Sequence, residues 1–348
     1  MSYIEEARKK LSAIKDKEDF IILAIESSCD ETAISILKGK QVLSSEISSQ
    51  IEIHKRFGGV VPEIASRNHC LAIDNLLKSA LLNAKIELNQ VDVIGVTYGA
   101  GLQGALLVGV AYAKALAYAL NIPIMAIDHV KGHVLASFLT ENIEFPYVCL
   151  LASGGHTEIL YVNGYSDMEI LGETQDDSAG EAFDKVARVL NLPYPGGPQI
   201  EKLAKNGGNV VPLPRPYKNE NHLNFSYSGI KTAVINYVHN AKQKGEDINP
   251  ADVACSFQER ATGMLIENAI KGAKMKNCNV IALAGGVGAN SCLREKLTEA
   301  CQKNNVKVYL PPKNLCTDNA TMIGMATFFA IKENLPCANL DLDVVPNL

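Results

Sequence analysis

Ile21 to Leu37 read IILAIESSCDETAISIL. An apolar run, a polar turn from Ser27 to Glu31 and a second, alternating run together predict a β-hairpin. The same grammar returns from Tyr147 to Val162 in YVCLLASGGHTEILYV, where the turn is Ser153-Gly154-Gly155-His156-Thr157. The two hairpins begin 126 residues apart (147 minus 21). That spacing predicts a duplicated α/β domain with its two turns facing one central cleft. Between the hairpins, helical periodicity from Cys70 to Leu82, the apolar run Val91 to Tyr98, a helix from Ala105 to Leu120 and the strand Ile122 to Asp128 alternate as an α/β fold requires. The second half repeats the scheme with helices at Ala179 to Leu190 and Val253 to Lys274, a strand at Val280 to Leu283 and a helix from near Asn290. Val210 to Asn224 (VVPLPRPYKNENHLN) breaks the periodicity and reads as a surface loop.

Composition narrows the class. With 348 residues, 47% of them hydrophobic and 20% charged, the chain can bury cores for two domains and is no disordered tail. Nine cysteines, an odd number without a C-x-x-C pair, fit reduced thiols and a cytoplasmic location rather than a zinc ribbon or a disulfide framework. The charged N-terminal stretch MSYIEEARKKLSAIKDKEDF does not read as a signal peptide but as a helical extension. The apolar stretch Ala105 to Ile127 is broken by Lys114 and Pro123, so it is expected in a core and not in a membrane.

Three features could carry chemistry. His129 and His133 stand at i and i+4 in HVKGH, a spacing that puts two imidazoles on one helical face, where they can share a metal or simply lie on a surface. A zinc-peptidase motif needs Glu after the first His, and Val130 stands there. YGAGLQG (Tyr98 to Gly104) contains G-x-G-x-x-G between a strand and a helix, with Asp128 ending the next strand, which leaves a dinucleotide enzyme open. The glycine-rich turns SGGHT, YPGGP and LAGGVGAN offer backbone N–H groups to anions. Taken with the ESSCDE hairpin they suggest a nucleotide-binding cleft between duplicated domains, the layout of the actin, sugar-kinase and Hsp70 superfamily.

The motifs IESSCDET (25–32), GGVVPEIASRNH (58–69), HVKGH (129–133), ASGGHTEI (152–159), GEAFDKVARVL (180–190), YPGGP (194–198), FSYSGIKT (225–232), AGGVGAN (284–290) and CTDNATMIG (316–324) occur in the order found in the bacterial TsaD family. The chain resembles that family of tRNA threonylcarbamoyltransferases, formerly labelled O-sialoglycoprotein endopeptidases, over about residues 21 to 330. One departure is Gly99-Ala100-Gly101-Leu102, where the family has G-P-G-L. The resemblance implies a duplicated actin-like (ribonuclease H-like) α/β fold. In this reading residues 1–20 form an extension, 21–135 the first domain, 136–320 the second, and a helix at about 321–345 packs back on the first. It implies acyl transfer of threonylcarbamoyl from threonylcarbamoyl-AMP to the N6 amine of the adenosine 3′ of the anticodon, in tRNAs reading codons that start with A. It further implies one divalent metal, Fe(II) or Zn(II), on His129, His133 and Asp318, and a donor site of Ala152, Ser153, Gly154, Gly155, His156, Asp184, Gly197 and Asn290. Asp30 is a candidate general base, with capping of the hairpin turn as its other reading. A metallopeptidase and an ATP-dependent kinase or chaperone-like module of the same superfamily are the alternatives.

Partners follow from the same resemblance: tRNA, a shorter TsaB-like paralogue and a TsaE-like small ATPase. The paralogue's surface is expected within Cys70 to Leu82, with Leu71, Leu76 and Leu77 facing outward unless they serve the core. For tRNA the net charge of −5 offers no global attraction, but Lys185 to Lys231 holds seven cations against Glu201 and Glu220, a local +5 (seven minus two).

Overall fold

The computed structural model describes residues 2–218 and 220–348, in two compact units, Met1–Asn142 with Asp318–Leu348 and Ile143–Thr317. The first unit is built on a sheet of β1 (Ile21–Glu26), β2 (Glu31–Lys38), β3 (Gln41–Ser49), β4 (Val93–Gly99) and β5 (Ile124–Asp128), in the order β3-β2-β1-β4-β5. β1 is antiparallel to β2, with Ile25 opposite Ile34, and parallel to β4. A central strand covered on both faces reads as an unbroken apolar run, which is why IILAI lacks alternation.

Around this sheet lie α1 (Tyr3–Ile14), the short α2 (Ile51–His54), α3 (Pro62–Ala84), α4 (Gln103–Leu120) and α5 (His129–Leu135). Helix α3 starts eight residues before the periodicity that announces it at Cys70, because Gly58 (φ 70) turns the chain and Pro62 opens the first turn. Helix α4 is long and apolar enough to cross a membrane, yet Ala105, Leu106, Val110, Ala113 and Ala117 are buried in this unit.

The second unit repeats the plan. Its sheet of β6 (Tyr147–Ala152), β7 (Thr157–Val162), β8 (Met168–Glu173), β9 (Val280–Ala284) and β10 (Lys307–Tyr309) has the order β10-β9-β6-β7-β8, again two antiparallel steps on one side of the first strand and two parallel steps on the other. β6 begins 126 residues after β1 (147 minus 21), and β7 begins 126 after β2 (157 minus 31). The edge strands β3 and β8 are absent from the hairpin reading because each buries few side chains and so shows little apolar pattern. Helices α6 (Ala179–Val189), α7 (Gly196–Ala204), α8 (Ser228–Lys244), α9 (Pro250–Met275) and α10 (Ser291–Lys303) complete the unit. Phe183, Tyr227, Phe257 and Leu265 are among the buried side chains of its core.

The chain then returns to the first unit in α11 (Ala320–Lys332). This helix ends well before residue 345: Asn334 takes a left-handed turn (φ 61) and Pro336 follows. Contact with the sheet is possible only through missing side chains. A Cβ built on Gly95 would sit 1.9 Å from Thr327 Oγ1, and one on Gly324 would sit 2.3 Å from Leu37 Cδ1. Gly95→Val should therefore overpack the interface by about 2–3 kcal/mol and lower the melting temperature by roughly 4–12 °C in calorimetry. Gly263→Ala, inside α9 with nothing near its Cβ, should hold or raise it by gaining up to about 1 kcal/mol of helix propensity.

Candidate active site

In the first unit, β1 and β5 end beside one another's neighbour β4, and their C-terminal ends deliver the polar residues. Asp128 stops β5 and caps α5 by accepting from Val130 N–H (2.7 Å) and Lys131 N–H (3.4 Å). The cap fixes the first turn of α5, on which His129 and His133 lie with ring centroids 4.7 Å apart and rings nearly perpendicular. Asp318, just before α11, brings Oδ1 to 3.1 Å from His133 Nε2 and 3.5 Å from His129 Nε2. All three candidate ligand atoms lie within 4.8 Å of one another.

The rear of His129 is held by a residue that the sequence reading passed over. Glu26, fully buried at the end of β1, places Oε2 3.1 Å from His129 Nδ1. Thr97 Oγ1 donates to the same oxygen (2.5 Å), and Ser28 N–H donates to Oε1 (2.6 Å). Nδ1 therefore donates its proton to Glu26 and Nε2 faces Asp318, the orientation that holds a metal-ligating histidine in place. The signal was a carboxylate closing an apolar strand in IESSCDET. Burial opposes the charge on Glu26, yet His129 draws its pKa below the ordinary glutamate value. Burial likewise disfavours a charged His129, but Glu26 and Asp318 outweigh it and raise the group well above the usual histidine range. Asp318, despite burial, is held well below the carboxylate range by His129 and His133. This pocket thus demands positive charge between its carboxylates. Two imidazole nitrogens and one carboxylate oxygen are a donor set that a divalent transition metal accepts with positions left open.

Asp30 sits in the same unit, in the turn after β1. Its Oδ2 is buried with no hydrogen-bond partner, so that atom caps nothing. Next to it, burial and the charges of Asp30 and Asp318 push Glu31 up to about 9, so Glu31 keeps its proton at neutral pH. The Gly99–Gly101 turn is filled by this chain: Gly101 N–H donates to Pro346 O (3.0 Å), and a Cβ on Gly99 would lie 2.4 Å from Val345 O. Leu102 N–H donates to Ser28 O (2.7 Å). These glycines admit backbone where a dinucleotide fingerprint would admit pyrophosphate, and Asp128 is committed as a helix cap.

The other set lies wholly in the second unit. Ala152 ends β6, and Ser153 to His156 form a tight turn in which Ser153 N–H donates to His156 O (2.8 Å) and His156 N–H to Ser153 Oγ (3.0 Å). Nothing lies within 4 Å of a Cβ built on Gly154, Gly155 or Gly197, so the chain is open at those points. The start of α6 supports the turn: Gly180 N–H donates to Ser153 O (3.1 Å) and Ser178 Oγ to Gly154 O (2.5 Å). Asp184, one turn along α6, accepts from Gly196 N–H (2.6 Å) and so ties the YPGGP turn to the same helix. Gly285 reaches the group from β9 with φ 84, so close that a Cβ would meet Ala152 O at 2.4 Å. Asn290 follows as the cap of α10, accepting from Leu293 N–H (3.0 Å) and donating to Gln258 Oε1 (2.9 Å). The residues are gathered at the C-terminal ends of the parallel pair β6 and β9, where open α/β sheets take ligands.

The basic stretch is weaker than its count. Lys185 pairs with Asp177 (2.8 Å) and Glu181 (2.6 Å), Lys231 with Asp177 (2.5 Å), and Arg215 with Glu267, acids that lie outside residues 185–231.

The family model for tRNA N6-adenosine threonylcarbamoyltransferase, TsaD, matches residues 41–325. Proteins of that name from Clostridium botulinum and Clostridium kluyveri are 50% identical over 335 residues, 95% of this chain and 98% of theirs. Among solved structures, HypF bound to phosphate and nucleotide and HypF of T. kodakarensis align with TM-scores of 0.61 and 0.64 at 14% identity. They cover 91% of this chain, which spans about half of each (47% and 48%), and at that identity the likeness is one of fold. With its motifs in order and relatives half identical along their whole length, the chain belongs to the tRNA N6-adenosine threonylcarbamoyltransferase family.

Proposed function

We propose that this protein transfers a threonylcarbamoyl group from threonylcarbamoyl-AMP to the N6 amine of the adenosine 3′ of the anticodon in tRNAs that read A-starting codons. The observation that carries the reading is the full-length match to relatives named for N6-threonylcarbamoylation of tRNA adenosine. In the reaction the amine nitrogen attacks the carbamoyl carbon, the bond from that carbon to the phosphate oxygen breaks, AMP departs with the bonding pair, and the amine gives up a proton. An aryl amine is a weak nucleophile, so positioning and stabilisation of the developing oxyanion must dominate.

The Ser153 to His156 turn, Gly197 and Asn290 are proposed to hold the donor, since backbone that no side chain shields can approach phosphate and carboxylate oxygens. Asp184 keeps α6 and the YPGGP turn in register for that task. His129, His133 and Asp318 are proposed to hold one Fe(II) or Zn(II), which when bound supplies a Lewis acid with open positions. Asp30, with its unpartnered buried oxygen, is the proposed proton acceptor. The proposed TsaB-like paralogue finds an apolar face on α3, where Leu71 and Leu82 are 75% and 77% exposed. Leu77 is not part of it: Ile73, Leu77 and Ala80 turn to the core, and Leu76 packs beside them. A TsaE-like ATPase completes the proposed assembly.

Incubation with threonylcarbamoyl-AMP and unmodified tRNA should yield the modified nucleoside by mass spectrometry, and its absence with active controls overturns the reading. Metal titration should show loss of binding in His133→Ala and about 10–100-fold weaker binding in Glu26→Gln, which keeps the shape but removes the charge behind His129. Calorimetry should find donor binding to Gly154→Val reduced at least tenfold with the fold intact; wild-type affinity removes the turn from the donor site. Leu71→Asp should reduce co-purification of the paralogue without shifting the melting temperature.

A further inference from the structure

Residues 210–218 and 220–224, the described parts of the proline-rich loop, are anchored rather than loose. Val211, Leu213 and Leu223 are buried in the second unit's core, Val211 N–H donates to Ser256 Oγ (3.0 Å), and Asn268 Nδ2 donates to Leu223 O (2.8 Å). From this base Arg215, Tyr217, Lys218 and His222 line one pocket together with Lys271 of α9. Its lining holds three full cations, Arg215, Lys218 and Lys271, against Glu267, a balance of +2 (three minus one). Arg215 is held in place by its pair with Glu267, while Lys218 and Lys271 are exposed. The metal ligands and the proposed donor turn use none of these side chains.

Tyr217 stands in the left-handed region at φ 56, which a bulky residue occupies only where its surroundings impose it and which recurs at ligand clamps. Its ring meets the His222 ring edge-on at 4.7 Å. His222 is itself fixed: Nδ1 accepts from Asn224 N–H (3.2 Å), so Nε2 carries the proton that it donates to Glu220 (2.6 Å). A half-buried aromatic pair among cations suits an unpaired nucleotide, whose base stacks while its phosphate meets lysine.

The pocket also connects to the proposed donor turn through covalent chain and hydrogen bonds. Phe225 lines it, and the next three residues grip Asp176: Tyr227 N–H (2.7 Å) and Ser228 N–H (3.1 Å) donate to Oδ1, and the Ser226 and Ser228 hydroxyls (each 2.5 Å) to Oδ2. Two residues on from Asp176, Ser178 donates to Gly154 O. A ligand held in the pocket is thus referenced to the turn by short, charged hydrogen bonds.

We infer that this pocket is an RNA subsite, in which Lys218 and Lys271 take a tRNA backbone phosphate and the adjoining base stacks on Tyr217. The inference rests on the proposed tRNA substrate and adds where that substrate is gripped away from the reacting adenosine. Binding of an unmodified tRNA transcript across a salt series tests it, with three proteins: wild type, Lys218→Ala with Lys271→Ala, and Tyr217→Asn, since Asn tolerates the left-handed backbone. The lysine pair should bind more weakly, with the slope of log affinity against log salt reduced by roughly 0.7–0.9, the value for the one phosphate contact they share. Tyr217→Asn should weaken binding about tenfold and leave the slope unchanged. Donor affinity and melting temperature should stay at wild type in both. Wild-type affinity and slope in both variants, in a protein that still forms the modified nucleoside, overturn the subsite and leave the activity standing. A wild-type protein that binds no tRNA overturns both.

Discussion

A buried carboxylate governs the first unit. Glu26 closes the central strand where water is excluded, and an unpaired charge there would cost several kcal/mol. It is tolerated because three donors converge on it from three places: Ser28 N–H from the turn after β1, Thr97 from β4 and His129 from α5. Satisfying that charge therefore fixes the turn, the strand pairing and the orientation of the first imidazole together. His133 and Asp318 can then meet His129, since one shares its helix and the other precedes the helix that packs on this sheet through Gly95 and Gly324.

The duplicated topology puts a turn at the same place in each sheet, and the two copies diverge in chemistry. At the 126-residue offset Glu26 corresponds to Ala152 (26 plus 126), Ser27 to Ser153 and Asp30 to His156. One copy carries carboxylates and buries them. The other carries small residues, and its neighbours Gly180 and Gly285 approach so closely that backbone carbonyls and amides define the surface. Buried carboxylates and open backbone are thus two outcomes of one strand-turn-strand geometry, as expected where a fold carries different sites.

Charge provides the clearest case of sequence arithmetic overtaken by packing. Summing Lys185 to Lys231 predicts a strongly basic face, but Asp177 is spent on two of those lysines and Glu267 on Arg215. Lys202, Lys205 and Lys218 remain exposed, and Lys218 shares its pocket with Lys271, from a helix that the sum never included. Neutralising partners come from segments remote in sequence, so a charge count along the chain measures composition and not field.

Much of the molecule is determined by sequence alone, wherever the cause is local. Hairpins follow from apolar runs around polar turns, α4 and α9 from periodicity, and the His129–His133 pairing from helical geometry. The ordered motifs identify the family and with it the candidate ligands. Edge strands β3 and β8 escaped because half-solvated strands show little apolar pattern. Tertiary structure alone decided that Asp318, 185 residues from His133, meets it at 3.1 Å, that Glu26 stands behind His129, and that Gly99 to Gly101 receive the chain's own Val345–Pro346 backbone rather than a phosphate. The physical reason is common to all three. Hydrogen bonds and excluded volume act through a few ångströms of space, and only folding brings residues far apart in the chain within that range.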